Sequence, residues 1–139
     1  MKTQDVLDAF DLLDDWDARY EFIGDLAREL VPLADAEYQD ANLVPGCNTR
    51  TWLTAGPDPA DHTRIRYRAD AETPLVRGLV ALLLVPFQQQ TLEQVLATDP
   101  SDYIARLGLA EHLSANRRAG MEHFIERLYQ LARQQQASG

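Results

Sequence analysis

The single cysteine of the chain, Cys47, is the residue best suited to covalent chemistry. It follows Pro45-Gly46 and precedes Asn48-Thr49-Arg50, which places its sulfur in a turn between a predicted helix and a predicted strand. Such junctions commonly expose reactive groups. A free thiol has a pKa of about 8.5, so a nucleophilic role needs a nearby cation, and Arg50 is the nearest one in sequence. The alternative is that Cys47 is a small buried apolar residue, as many free cysteines are.

Three histidines, His62, His112 and His123, are the other side chains that could activate a thiol or bind a metal. A Cys–His pair also needs a carboxylate or an amide that orients the ring. Nothing in the spacing joins any of the three to Cys47, and none of them has the paired spacing of a zinc site. One cysteine also excludes an intrachain disulfide and a cysteine-cluster metal site. The sequence therefore predicts structural histidines, no metal and no bound cofactor.

The charge of the chain is concentrated at its N-terminal end. The 139 residues have a formal net charge of −9, and residues 1–40 contain 12 of the 22 acidic residues and three of the 13 basic ones. Binding to nucleic acid or to an anionic membrane requires clustered Lys and Arg, so both classes of partner are excluded. The longest aliphatic run, residues 79–85, is far shorter than the roughly 20 residues of a spanning helix, and no signal peptide is recognisable. We expect a cytoplasmic protein.

The N-terminal residues predict two acidic helices, which we expect to form a helical hairpin. Apolar residues recur at helical spacing from Val6 to Leu13, and again from Phe22 to Leu30. Asp14 or Asp15 can cap the second helix, which must stop before Pro32.

The middle of the chain predicts a small antiparallel hairpin. Residues 49–55 favour a strand, and residues 63–69 alternate apolar and basic side chains, with Arg64, Arg66 and Arg68 on the expected solvent face. The same arginine row could instead contact an acidic partner. A turn at residues 56–59 joins the two strands.

Four more helices are predicted in the second half. Their start signals are Thr73-Pro74, the capping box from Thr91 to Gln94, Asp99-Pro100-Ser101 and Ser114. The helix over residues 75–85 is apolar nearly all round and should be the buried centre. We therefore predict an α+β fold with helices packed around a small antiparallel β-sheet, in one domain over residues 1–139 with a frayed tail at 134–139.

Four blocks of the sequence resemble one family. VPGCNTRTW at residues 44–52 resembles the segment V-x-G-C-x-S-x-V-W of the SufE-like sulfur acceptors, also called the Fe–S metabolism associated domain. DWDARY at 15–20 is similar to the family's N-W-E-x-K-Y, and DAETPLVRGL at 70–79 to its D-S-D-A-x-I-V-K-G-L. LSANRRAG at 113–120 is similar to L-S-P-S-R-x-N-G, with Ala, Asn and Ala at three of its positions. The resemblance extends over essentially the whole chain.

The resemblance implies a fold shared with the NifU and IscU-type scaffolds and a partner that is a pyridoxal-phosphate cysteine desulfurase. Cys47 would accept sulfur from the desulfurase persulfide and pass it to an iron–sulfur scaffold or another acceptor, while the pyridoxal phosphate belongs to the partner. The positions that match the family's loop-control residues are Asp70, Glu72 and Arg117, and Glu72 is one methylene longer than the usual Asp. Gly46 lets the backbone turn tightly beside a partner's active site.

Two alternatives to sulfur transfer remain open from the sequence. The chain could be an adaptor that activates the desulfurase without carrying sulfur, or a stand-alone thiol enzyme, for which no base can be placed. We expect a sulfur-transfer protein that acts with the desulfurase, not an independent enzyme. The acidic N-terminal region would then contribute solubility and steering toward a basic desulfurase surface.

Overall fold

A computed structural model describes residues 1–138 and shows an α+β fold, as predicted. The elements are numbered in chain order, and short 3₁₀ turns lie between several of them. The helices are α1 (Thr3–Leu12), α2 (Trp16–Glu29), α3 (Pro74–Leu84), α4 (Leu92–Ala97), α5 (Ser101–Leu107) and α6 (Ala115–Ser138). The strands are β1 (Thr51–Pro57), β2 (Arg64–Ala71) and β3 (Gln90–Thr91).

The predicted hairpin is present as the antiparallel pair β1–β2, in which Thr51 lies opposite Ala71. The alternation along β2 is confirmed, because Ile65, Tyr67 and Ala69 are buried between less buried residues. β1 begins and ends two residues later than the predicted strand over residues 49–55, so the connecting turn begins at Asp58 instead of Gly56.

A third strand that the sequence did not predict, β3, pairs with the start of β2. Its two residues are too few to show alternation. Beyond β3, the side-chain amide of Gln88 takes the place of a neighbouring strand. It donates to the Tyr67 carbonyl at 2.9 Å and accepts from the Tyr67 N–H at 3.2 Å.

α3 is the buried centre of the molecule and packs closely against α2. A Cβ built on Gly78 would lie 2.4 Å from Ile23 Cγ2 and 2.6 Å from the Ile23 carbonyl oxygen. Only glycine at this position allows the two helix backbones to approach so closely. The predicted start of α3 is confirmed, because Thr73 Oγ1 accepts from the Val76 N–H at 3.3 Å.

The prediction that the first two helices form a hairpin is wrong. α1 packs chiefly on α5, and α2 packs chiefly on α3, because each helix turns its apolar stripe toward a different part of the core. The two helices meet mainly near their connection, where Phe10 and Phe22 contact edge to face and the Arg19 guanidinium donates to the Phe10 carbonyl at 3.2 Å.

The alternation along β2 predicts that Arg64, Arg66 and Arg68 are solvated, but two of them also form hydrogen bonds within the protein. Arg68 donates to Glu37 at 2.7 Å and to the Pro32 carbonyl at 3.1 Å. Arg64 donates to the Gln89 carbonyl at 2.6 Å. These contacts fasten the segment after α2, and the residues before β3, to the sheet.

The last helix, α6, continues to Ser138, into the tail at residues 134–139 that we predicted to fray. Within that tail, Gln135 Nε2 donates to the Ala55 carbonyl at 3.2 Å. Contact with β1 therefore holds this part of α6, and residue 139 lies outside the described part of the chain. Within residues 1–138, no helix is both long enough and apolar enough to cross a lipid bilayer.

Candidate functional site

Cys47 lies in a loop whose two ends are joined by backbone hydrogen bonds. The Val44 N–H donates to the Thr51 carbonyl at 2.8 Å, and the Glu72 N–H donates to the Arg50 carbonyl at 3.1 Å. The loop thus leaves the end of the sheet at a fixed base, while the residues between these bonds belong to no helix or strand.

Gly46 adopts a left-handed conformation with φ of +80° and packs directly on α6. A Cβ at this position would lie 2.8 Å from both Cδ2 and Nε2 of His123. Glycine is required here for two reasons, since other residues rarely adopt this φ and a side chain would collide with the imidazole.

The thiol of Cys47 is directed at the same helix and is partly buried. Its Sγ donates to the Gly120 carbonyl, with 3.7 Å between sulfur and oxygen. Burial raises the pKa of the Cys47 thiol above its ordinary value, so the protonated form dominates at neutral pH. Cys47 is therefore neither the fully buried apolar residue nor the exposed reactive thiolate that the sequence left open as alternatives.

A cavity of about 220 Å³ opens beside Cys47, between α3 and α6. Its apolar wall includes Leu79 and Val80 of α3 together with Met121 and Phe124 of α6. A group attached to the Cys47 sulfur would therefore find room beside apolar side chains, while the other side of the cavity is polar. The polar lining residues are Asn48, Thr49, Thr51, Ser114, Asn116 and Arg117.

Arg117 and Arg50 are the two basic residues that the sequence associated with Cys47, and only Arg117 lies beside it. Arg117 lies in the first turn of α6 and lines the same cavity, so the structure brings it to the cysteine. Arg50 instead forms an exposed ion pair with Glu72, with 3.5 Å between Nε and Oε1. Burial is the cause of the Cys47 pKa shift, so the expected assistance from Arg50 is not observed in this conformation.

Asp70 does not line the cavity, and its side chain instead connects Tyr38 with Arg77 near the base of the loop. It accepts from the Tyr38 hydroxyl at 2.6 Å and pairs with Arg77 at 2.9 Å. The hydrogen bond to Asp70 raises the pKa of Tyr38, whose ring contacts Trp52 edge to face. Asp70 thus ties the segment before the loop to β1, β2 and α3, and Glu72 adds its ion pair at the surface.

Of the three histidines, His123 is the one that packs on the cysteine loop, a contact that nothing in the spacing of the sequence indicated. It lies one helical turn after Gly120, and residues three apart share a helix face. His112 instead stacks on Trp16 with 3.7 Å between ring centroids, and His62 lies in the exposed turn after β1. Residues 1–138 contain no group of three His, Cys, Asp or Glu side chains placed to hold a metal ion.

Comparison with known structures supports the fold. A solution structure of a hypothetical protein from Thermus thermophilus superposes with a TM-score of 0.76 and covers 97% of this chain and 96% of its own. The two sequences are 21% identical, so this similarity concerns the fold alone.

Sequence comparisons agree with the resemblance carried by the four blocks. An uncharacterised SufE-like protein of Rhizobium etli is 31% identical over 131 residues, which cover 92% of this chain and 87% of the relative. A second uncharacterised SufE-like protein, from Rhizobium meliloti, is 30% identical over 124 residues, covering 88% and 89%. The family model for SufE, the Fe–S metabolism associated domain, matches residues 4–132. The chain belongs to the SufE family and is thereby associated with iron–sulfur metabolism.

Proposed function

We propose that this protein is a sulfur acceptor that takes the outer sulfur of a cysteine desulfurase persulfide onto Cys47 and delivers it to iron–sulfur cluster assembly. The observation that carries the proposal is the placement of Cys47. It lies in a loop that backbone hydrogen bonds fix at its base and that only weaker contacts hold against α6, directly beside a cavity able to shelter a modified sulfur. The four sequence blocks and the family match support sulfur transfer as the reaction of a cysteine in this position.

The inward position of Cys47 suits a sulfur carrier between transfers. A persulfide carries one sulfur atom more than a thiol, and the cavity of about 220 Å³ exceeds the roughly 30 Å³ that one water molecule occupies in the liquid. Partial burial of the sulfur beside this cavity would slow the access of competing thiols and reductants to a persulfide. The same position makes Cys47 a poor nucleophile, since its pKa is raised.

Transfer therefore requires the loop to turn outward toward the partner. Once solvated, Cys47 loses its proton more readily and its thiolate attacks the outer sulfur of the desulfurase Cys–S–SH. A new S–S bond forms on Cys47, the bond between the two desulfurase sulfurs breaks, and the desulfurase cysteine leaves as a thiolate that takes up a proton. No external oxidant or reductant is needed, because the sulfane sulfur keeps its oxidation state.

Arg117 is the charged group that supports this reaction in our proposal. It lines the cavity beside Cys47 and belongs to the first turn of α6, so it is a cation close to the loop that carries the sulfur. A cation beside a sulfur nucleophile favours the thiolate. Asp70 and Glu72 do not contact the sulfur. Their ion pairs with Arg77 and Arg50 stabilise the strand end and the helix next to the base of the loop.

The test is persulfide formation in the presence of a cysteine desulfurase and free cysteine. We expect the mass of the protein to increase by one sulfur atom, located at Cys47 by peptide mapping, and the increase to disappear on reduction. The Cys47→Ser variant should gain no mass and should also lose the ability to stimulate the desulfurase. An unmodified wild-type protein would refute sulfur transfer, and full stimulation by Cys47→Ser would favour a non-carrying adaptor instead.

A further inference from the structure

We propose that His123 is a positioning residue that holds the Cys47 loop against α6, through packing of its imidazole on Gly46, and thereby sets how often the thiol becomes accessible. The role of this contact in sulfur transfer rests on the proposed function. The contact itself is a property of the free protein and can be measured without any partner.

The first observation is the close approach of Gly46 to the imidazole. The three nearest atoms to a Cβ built on Gly46 all belong to the His123 ring, at 2.8, 2.8 and 3.1 Å. The Gly46 backbone therefore lies against the ring with no side chain between them. This packing requires the φ of +80° at Gly46, which turns the chain toward the helix.

The second observation is that the neighbouring residue contacts the same face of the helix. Cys47 Sγ donates to the Gly120 carbonyl, and Gly120 precedes His123 by one helical turn. Because consecutive Cα atoms are about 3.8 Å apart, Gly46 and Cys47 cannot leave α6 independently of each other. The sulfur–oxygen contact is weak, so the ring packing on Gly46 and the packing of Cys47 against the core must keep the sulfur inward.

The third observation concerns what His123 does not do. Among residues 1–138, no carboxylate or amide forms a hydrogen bond or ion pair with the His123 ring, and a general base normally requires such an orienting partner. The ring therefore acts by its shape. A flat side chain without ring nitrogens should serve equally well, and a small one should not.

The experiment compares His123→Ala and His123→Phe with the wild-type protein in the alkylation of Cys47 by iodoacetamide at a fixed pH. His123→Ala should be alkylated about three to ten times faster, since the loop loses the van der Waals contacts between Gly46 and the ring. This change corresponds to about 0.7–1.4 kcal/mol. His123→Phe should react at the wild-type rate or more slowly. Glu122→Ala, an exposed neighbour on α6, is the matched control and should leave the rate unchanged.

Two further measurements separate this role from others. Urea unfolding separates release of the loop from general destabilisation. His123→Ala should lose no more unfolding free energy than the about 0.7–1.4 kcal/mol that corresponds to a threefold to tenfold rate change, and His123→Phe and Glu122→Ala should match the wild type. The pH dependence of alkylation should keep one transition, that of the thiol, in His123→Phe. The inference is overturned if His123→Ala reacts at the wild-type rate, or if His123→Phe reacts as fast as His123→Ala. Absence of persulfide formation with a desulfurase would refute the proposed function and leave this alkylation result unaffected.

Discussion

Replacing Gly78 by alanine tests the closest helix contact of the fold. The new methyl group would lie 2.4 Å from Ile23 Cγ2 and 2.6 Å from the Ile23 carbonyl oxygen, whereas carbon atoms normally approach to about 3.5–4.0 Å. The Ile23 side chain could rotate away, but the carbonyl belongs to the α2 backbone and cannot. α2 and α3 would have to separate by roughly 1 Å to remove the overlap.

Two opposing effects determine the expected stability of Gly78→Ala. Alanine in a helix interior is favoured over glycine by about 0.5–1 kcal/mol. Overpacking a dense core costs about 1–3 kcal/mol, and here the upper part of that range applies because a backbone atom is involved. We expect a net loss of about 1–2 kcal/mol in the free energy of unfolding, which for a chain of this size lowers the Tm by roughly 3–8 °C.

Gly24→Ala is the matched control for this substitution. Gly24 lies in α2 next to Ile23, and a Cβ built there has nothing within 4 Å. Only the helix-propensity gain remains, so Gly24→Ala should stabilise the protein by about 0.5–1 kcal/mol. Urea unfolding followed by circular dichroism measures both variants. If Gly78→Ala were as stable as wild type, or if both substitutions changed stability in the same direction, the argument from close packing would be wrong.

Two further predictions concern the site. Burial raises the pKa of Cys47, so the pH profile of its alkylation should have its midpoint above that of the urea-unfolded chain. The folded state then retains the thiol proton at a pH where the unfolded chain has already lost it. The contribution of the thiol to the free energy of unfolding, measured as the difference between wild type and Cys47→Ser, should be fully present below about pH 8.5 and should decline as the pH rises further. Asp70→Ala should cost about 1–3 kcal/mol, because Tyr38 and the partly buried Arg77 lose their shared partner, whereas Glu72→Ala breaks an exposed pair and should cost less than about 0.5 kcal/mol. Equal losses in unfolding measurements would contradict this assignment.

The local features of the fold were predictable from the sequence because their causes lie within a few residues. Asp15 caps α2 by accepting from the Ala18 N–H, and Thr91 forms its capping box with Gln94, each three residues away. The alternation along β2 is likewise a property of neighbouring residues. Such signals require no knowledge of the partner element, so single-sequence reasoning recovers them.

The features that the sequence did not reveal depend on contacts between distant parts of the chain. The loop and α6 meet at Cys47 and Gly120, 73 residues apart, and His123 reaches the loop only because α6 crosses β1. The hydrogen bond between Tyr38 and Asp70 spans 32 residues. Periodicity shows which face of an element is apolar but not which element covers it, and the same limit explains the incorrect helical hairpin.

The Gln88 amide has a consequence for how this protein meets other molecules. Strands at the border of a sheet can pair with strands of a second chain through their free peptide groups. Here the N–H and C=O groups of Tyr67 are already bonded to one side chain, so an incoming strand would first have to displace it. Unintended lengthening of the sheet from one molecule into the next is thereby obstructed along this border.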